Sequence, residues 1–161
     1  MAIPDNLKKT FETDFCGKRL IVETGYIAEQ ANGAVMLRLG ETVLLVTAVA
    51  SKAPREGIDF FPLTCDYEEK LYAAGRIPGS FPRREGRPSE AATITSRMID
   101  RPMRPLFPKD FRNDVQIVAT VLSTDQEQDP QTLAVTGASC ALQIIGIPHH
   151  WPAACGQAGK F

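Results

Sequence analysis

The sequence predicts an α+β domain, a sheet packed on helices, and three observations carry that prediction. Short β-branched runs come first along the chain, Gly-containing turns punctuate them, and a helix, a strand and a second helix follow. At 161 residues with 43% apolar composition, the chain is long enough for one compact domain with its own core.

The runs Leu20–Thr24, Ala34–Leu39 and Thr42–Ala50 read as strands of an antiparallel meander, with the Asn32-Gly33 pair expected at its tightest turn. "CDYEEK", Cys65 to Lys70, is acidic enough to suggest a metal site. At strand spacing, however, its carboxylates alternate faces, which favours a solvated strand end. In "PSEAATITSRMID" Ser89 is the expected N-cap and Glu90 sits in the first turn. Ala91, Ile94 and Met98 are expected on one face and Thr93, Arg97 and Arg101 on another, with Pro102 stopping the run. Val115–Ser123 reads as a strand whose two residue sets are apolar and mixed, so both its faces are expected to be covered. The last helix begins after Asp129-Pro130 and ends at Gly146, its small-residue middle suited to close packing on the sheet.

The charge pattern separates a local function from a global one. Net charge is -1 and the pI about 6.1, which excludes a globally basic nucleic-acid binder. Yet "RIPGSFPRREGRPSEAATITSRMIDRPMR", Arg76 to Arg104, holds seven of the eighteen basic residues, all arginine, against three carboxylates. A planar guanidinium grips phosphate oxygens bidentately or stacks on a base, where an ammonium offers a point charge. Pro78, Pro82 and Pro88 stiffen the loop, and Phe81 beside Arg83, Arg84 and Arg87 is the pairing that stacks bases while neutralising a single-stranded backbone. The competing reading is a solvated loop, with Phe81 folded into the core and the helix arginines paired to Glu85, Glu90 or Asp100.

Other chemistries find little support. GxGxxG, Walker A, GxSxG and HExxH patterns are absent, and the only histidines, His149 and His150, adjoin Trp151 in a tail that reads as a solvated turn. The cysteines Cys16, Cys65, Cys140 and Cys155 form no C-x-x-C pair and are expected to be buried free thiols. The first fifteen residues hold no apolar run after their charges, and Val43–Ala50 is far too short to span a bilayer. A cytoplasmic protein without membrane contact is the expectation.

"YAAGRIPGSFPRREGRPSE", followed by "SRMIDRPMRPLFP", strongly resembles the first ribonuclease-PH-like core domain of the bacterial polynucleotide phosphorylase (polyribonucleotide nucleotidyltransferase) family. The likeness runs from Gly17 to Pro148. It implies a ribonuclease-PH-like fold, of the ribosomal protein S5 domain 2-like type, over residues 1–148, with 149–161 as a tail outside the family pattern. It implies an RNA-binding transferase: a phosphorolytic 3'-to-5' exoribonuclease that uses inorganic phosphate, releases nucleoside diphosphates and serves mRNA degradation and RNA processing. The family requires a divalent metal, usually magnesium, and forms a homotrimer around a channel, which implies single-stranded RNA and RNA-degradation complex partners. In the family the loop matching Ser80–Arg87 grips RNA through two consecutive phenylalanines. Here Phe81 stands with Pro82, so one stacking platform is expected, with backbone contact from Arg83, Arg84 and Arg87.

The resemblance also implies possible phosphate or RNA backbone contacts at Arg97, Arg101 and Arg104. The family's Gly-Thr-Arg phosphate motif corresponds to Asp129, Pro130 and Gln131, a carboxylate where a cation is needed. No catalytic residue and no metal ligand is therefore expected within this chain. After Pro148 the family pattern gives way to "HHWPAACGQAGKF", which suggests a truncated or frameshifted product. The expected role is RNA binding and ring assembly, the alternatives being a stand-alone non-catalytic RNA-binding module or a non-functional truncated product.

Overall fold

The computed structural model describes residues 8–54, 57–125, 127–148 and 152–156. Six strands form one mixed sheet: β1 (Lys9–Phe15), β2 (Lys18–Thr24), β3 (Gly33–Leu39), β4 (Thr42–Pro54), β5 (Leu63–Glu69) and β6 (Asn113–Ser123). Helix α1 (Glu90–Met103) connects β5 to β6, and α2 (Pro130–Ile145) follows β6. Strand order is β1-β2-β3-β4-β6-β5, antiparallel except for the parallel β5–β6 pair. A parallel pair needs a long crossover, and α1 supplies it.

Alternation sorts the sheet into two faces. Val35 and Leu37 on β3, Leu44, Val46 and Ala48 on β4, and Val115, Ile117, Ala119 and Val121 on β6 are all buried. They meet Ile99 and Met103 of α1 and Leu133, Ala138 and Leu142 of α2 in one core. Each Val, Leu, Ile or Met among them contributes roughly 1.5 to 3 kcal/mol of burial. On the opposite face Met36, Leu45 and Val118 are only half-buried and Val49 is exposed. The expected cover on the second face of β6 is thus incomplete among the described residues.

Several local expectations are corrected. The tight turns are Cys16-Gly17, where φ is 54° and 76°, and Gly40-Glu41, whereas Asn32-Gly33 ends an eight-residue connection. Asn32 instead accepts the Ala50 amide through Oδ1 at 3.0 Å. Gly33 opens β3 because a Cβ there would lie 2.5 Å from the Ala141 carbonyl oxygen and 2.7 Å from Ile145 Cγ1. Its role is close approach of α2 to the sheet. β1 has no counterpart in the sequence reading, whereas "CDYEEK" is a strand end as expected, the last five residues of β5 with Lys70 just beyond, although Tyr67 is buried and paired to Ala119.

In α1 the buried face is Ala92, Thr95, Ile99 and Met103, one position on from the expected one, and Ile94 is exposed. Ser89 is the N-cap as expected, its Oγ accepting the Ala92 amide at 3.0 Å, so the difference comes from which face packs against the sheet and not from where the helix starts. Pro102 lies inside the helix, which continues through Met103 into a 3-10 turn at Arg104–Leu106. α2 matches its expected bounds, capped by Asp129 Oδ1 on the Gln131 amide at 2.9 Å. A Cβ on Gly137 would lie 2.6 Å from Leu37 Cδ1 and 2.7 Å from Val46 Cγ2, so the small-residue middle does pack closely on the sheet.

Among the thiols only part of the expectation holds: Cys16 is exposed, and Cys65, Cys140 and Cys155 are half-buried and free. Of the tail, His149, His150 and Trp151 lie outside the described residues. Within 152–156, the Ala153 amide donates to Ser139 Oγ at 2.8 Å, which lays the segment along α2.

Candidate nucleic-acid interface

The arginine-rich segment leaves the C-terminal end of β5, passes a 3-10 turn at Leu71–Ala74 and returns to the start of α1. Two anchors shape it. Glu85 Oε1 accepts the Leu71 amide at 2.8 Å, and Lys70 Nζ lies 2.7 Å from Glu68 and 3.4 Å from Glu85. The Glu68 carboxylate beside it, with Glu85 adding, raises the Lys70 pKa above its ordinary value and keeps the tie charged.

At the tip, Ser80 O accepts the Arg83 amide at 2.8 Å, and Ser80 Oγ donates to the Arg84 carbonyl at 3.0 Å. These bonds close a turn that places Phe81 and Pro82 at its apex. Arg83 takes a left-handed φ of 49°, which a non-glycine residue adopts at a cost of about 1 to 2 kcal/mol. Strain of that kind concentrates where side chains must be aimed.

Phe81 is 104% exposed, which removes the reading that folds it into the core. Arg83, Arg84 and Arg87 are exposed, and their guanidinium groups make no ion pair or hydrogen bond among the described residues. Arg76 is in the same condition. Along α1, Arg97 and Arg101 lie on the solvent face one turn apart, about 6 Å of rise, also without partners among the described residues.

Arg104 differs. Its Nη2 and Nε bond Asp100 at 2.6 and 3.1 Å, Nη1 donates to the Phe61 carbonyl at 2.9 Å and Nη2 to that of Leu63 at 3.1 Å. It also lies 5.8 Å from the Phe61 ring, which packs with Phe107 and Phe111. The Asp100 bond leads the upward shift of its pKa. Arg104 therefore joins the end of α1 to the start of β5, and for this arginine the ion-paired reading holds: its hydrogen-bonding fork is already engaged.

The sequence reading missed two features here. Tyr72 is 58% exposed in the 3-10 turn whose first amide Glu85 holds. The second is a cavity at the root of the loop, lined in part by Tyr67, Arg76 and Arg87. Its walls come from β5, the loop and both helix starts, segments too far apart in sequence for any local pattern to reveal them.

At the start of α2, Asp129 uses its carboxylate on the helix's own Gln131 amide, so the position where a bound phosphate would need donors carries an acceptor. Among the described residues no three His, Cys, Asp or Glu side chains are grouped to hold a metal. No described helix is long and apolar enough to cross a membrane.

Residues 17–148 match the model of the 3' exoribonuclease family, domain 1. The polyribonucleotide nucleotidyltransferase of Finegoldia magna is 62% identical over 144 residues, covering 89% of this chain and 20% of that protein. That of Heliobacterium modesticaldum is 58% identical over the same shares. The chain thus spans about a fifth of the length of the curated relatives it matches. Rice Rrp46 superposes with a TM-score of 0.58 at 12% identity, covering 88% of this chain and 57% of that one. An Archaeoglobus fulgidus exosome with RNA bound to its active site gives 0.52 at 18% identity, covering 84% and 50%. These superpositions show a shared fold, α+β and ribonuclease-PH-like.

Proposed function

Since the chain belongs to the 3' exoribonuclease family, of which it carries domain 1, we propose that it supplies the single-stranded RNA grip of a polyribonucleotide nucleotidyltransferase. The full enzyme would degrade RNA from its 3' end with inorganic phosphate and release nucleoside diphosphates. The observation that carries this reading is the fully exposed Phe81 on a braced turn beside Arg83, Arg84 and Arg87, all lacking partners among the described residues. One base stacks on Phe81, worth about 1 to 3 kcal/mol, while the guanidinium groups neutralise the flanking phosphates. Arg97 and Arg101 extend the cationic track along α1.

The attacking phosphate that the family implies does not fit the donor set described here, and the magnesium the family uses would be held elsewhere in the full-length enzyme. Asp129 occupies the helix start that would hold phosphate, an acceptor where donors are needed. The chemistry is therefore assigned to other parts of the full-length enzyme. In this reading the chain contributes RNA binding and assembly of a homotrimeric ring, in the cytoplasm, with other RNA-degradation proteins as partners. Residues 1–148 form the family domain and 149–161 a separate tail.

The test is oligo(A) binding by the double variant Arg83→Ala/Arg84→Ala across a salt series. Two lost phosphate contacts lower the slope of log affinity against log salt by about 1.4, because each contributes about 0.7 on single strands. An unchanged slope overturns the proposal. Release of nucleoside diphosphate from poly(A) by this chain alone would overturn the assignment of chemistry elsewhere.

A further inference from the structure

The loop does more than present Phe81. Folding back through Glu85, it closes one side of a cavity of about 590 Å³ against the body of the domain. The opposite side is built from the C-terminal ends of the parallel pair, at Glu69 and Val121, and from Leu71 and Ala74 of the 3-10 turn. Ser89 before α1 and Pro130 at the start of α2 complete it. A crevice at the carboxyl ends of parallel strands, flanked by helix starts, is where α/β sheets receive ligands.

The chemistry of this lining narrows the ligand. Glu68, Lys70 and Glu85 are engaged with one another. Across the lining three carboxylates, Glu68, Glu69 and Glu85, face three cations, Lys70, Arg76 and Arg87, so an anion gains little net field there. Leu71, Ala74, Val121 and Pro130 supply apolar surface. Tyr67 forms part of the floor: it is 1% exposed, its hydroxyl is sealed from solvent, and among the described residues the Glu69 carboxylate bears on that hydroxyl most. Burial first, then the charge of Glu69 and a hydrogen bond to it, with Asp129 adding, raises the Tyr67 pKa and keeps the phenol neutral. A neutral group with an apolar face matches that combination of balanced charge and apolar surface, and the volume lies within the range of small-molecule pockets.

We propose that this cavity receives one unstacked base of the RNA strand whose phosphates lie on Arg83, Arg84 and Arg87, seated against Leu71, Ala74, Val121 and Pro130. The inference rests on the RNA-grip reading and adds a second base contact, distinct from the Phe81 platform.

Ala74→Phe fills the cavity from an exposed position and removes no charge, with Ala74→Ser as control. Affinity is measured for oligo(A) strands carrying one abasic residue at each position in turn. In the unaltered chain two positions are expected to be sensitive, each losing about fivefold or more on base removal. One sensitivity disappears in Phe81→Ala, the other in Ala74→Phe, and Ala74→Phe leaves the salt slope unchanged. Should Ala74→Phe not fold, Ala74→Leu fills less of the same space, and a loss of at least twofold confined to the same position is expected. An abasic profile identical in the chain and its cavity variants overturns the base pocket while leaving the RNA grip intact. A salt slope unmoved by Arg83→Ala/Arg84→Ala overturns the RNA grip itself.

Discussion

Arg104→Ala separates an arginine that holds the fold from those proposed to hold RNA. The substitution removes the Asp100 pair and the two donations to the Phe61 and Leu63 carbonyls. The side chain is 43% exposed, so the pair with Asp100 counts as a surface i,i+4 contact, about 0.3 to 0.5 kcal/mol. The two charge-assisted bonds to backbone carbonyls, discounted for solvent, contribute about 1 kcal/mol each. A loss of about 2 kcal/mol follows, which in a domain of this size lowers Tm by about 4 to 8 °C. Arg104→Lys retains the charge but not the planar fork, and it should recover less than half of the loss. The assay is thermal unfolding followed by circular dichroism, run beside the oligo(A) salt series. The expected result is a lowered Tm with an unchanged salt slope. An unchanged Tm with a slope reduced by about 0.7 would make Arg104 a phosphate contact and refute the reasoning.

Three further outcomes follow from the packing and the titrating groups. Gly137→Ala gains about 1 kcal/mol of helix propensity but drives a methyl into fully buried Leu37 and Val46, costing about 1 to 3 kcal/mol; urea denaturation should show a net loss, and a gain would contradict the close approach of α2. Burial pushes the Cys65 thiol up to about 12, so alkylation at pH 8 followed by mass spectrometry should modify exposed Cys16 well before Cys65, and the reverse order would show β5 to be loosely packed. Asp125 accepts the Gln128 and Glu127 amides and the Thr42 hydroxyl, bonds that depress its pKa below 3.8. A depressed carboxyl contributes stability that is present above 3.8 and lost as pH falls through the lower folded value. Asp125→Asn should therefore reduce the fall in urea midpoint between pH 5 and pH 2.5, and an equal fall in both proteins would count against the turn.

The parts of the fold that were readable had strong local signals. β3 and β4 alternate Val and Leu with a Gly40 turn between them, and α2 carries an Asp129-Pro130 start and a Gly146 stop. β1 was not readable because every residue but Phe15 is exposed, so no buried set imposes a pattern on "KTFETDF". The phase of α1 was misjudged by one position because Thr95 is buried and Ile94 is not, an exchange that tertiary packing decides. Within the site, the exposed Phe81 and the loop arginines, unpaired among the described residues, accord with a stiff segment that has no apolar partner in sequence. Arg104 looks the same in sequence, and only the fold brings the Phe61 and Leu63 carbonyls within its reach.

The most direct test of the RNA grip is photocrosslinking of a 4-thiouridine oligonucleotide to the full chain, with the adducts located by peptide mass spectrometry. The account predicts adducts within residues 79–88, led by Phe81 and lost on Phe81→Ala. Adducts confined to the β1–β2 hairpin or to the half-buried sheet face around Met36 and Leu45 would contradict it.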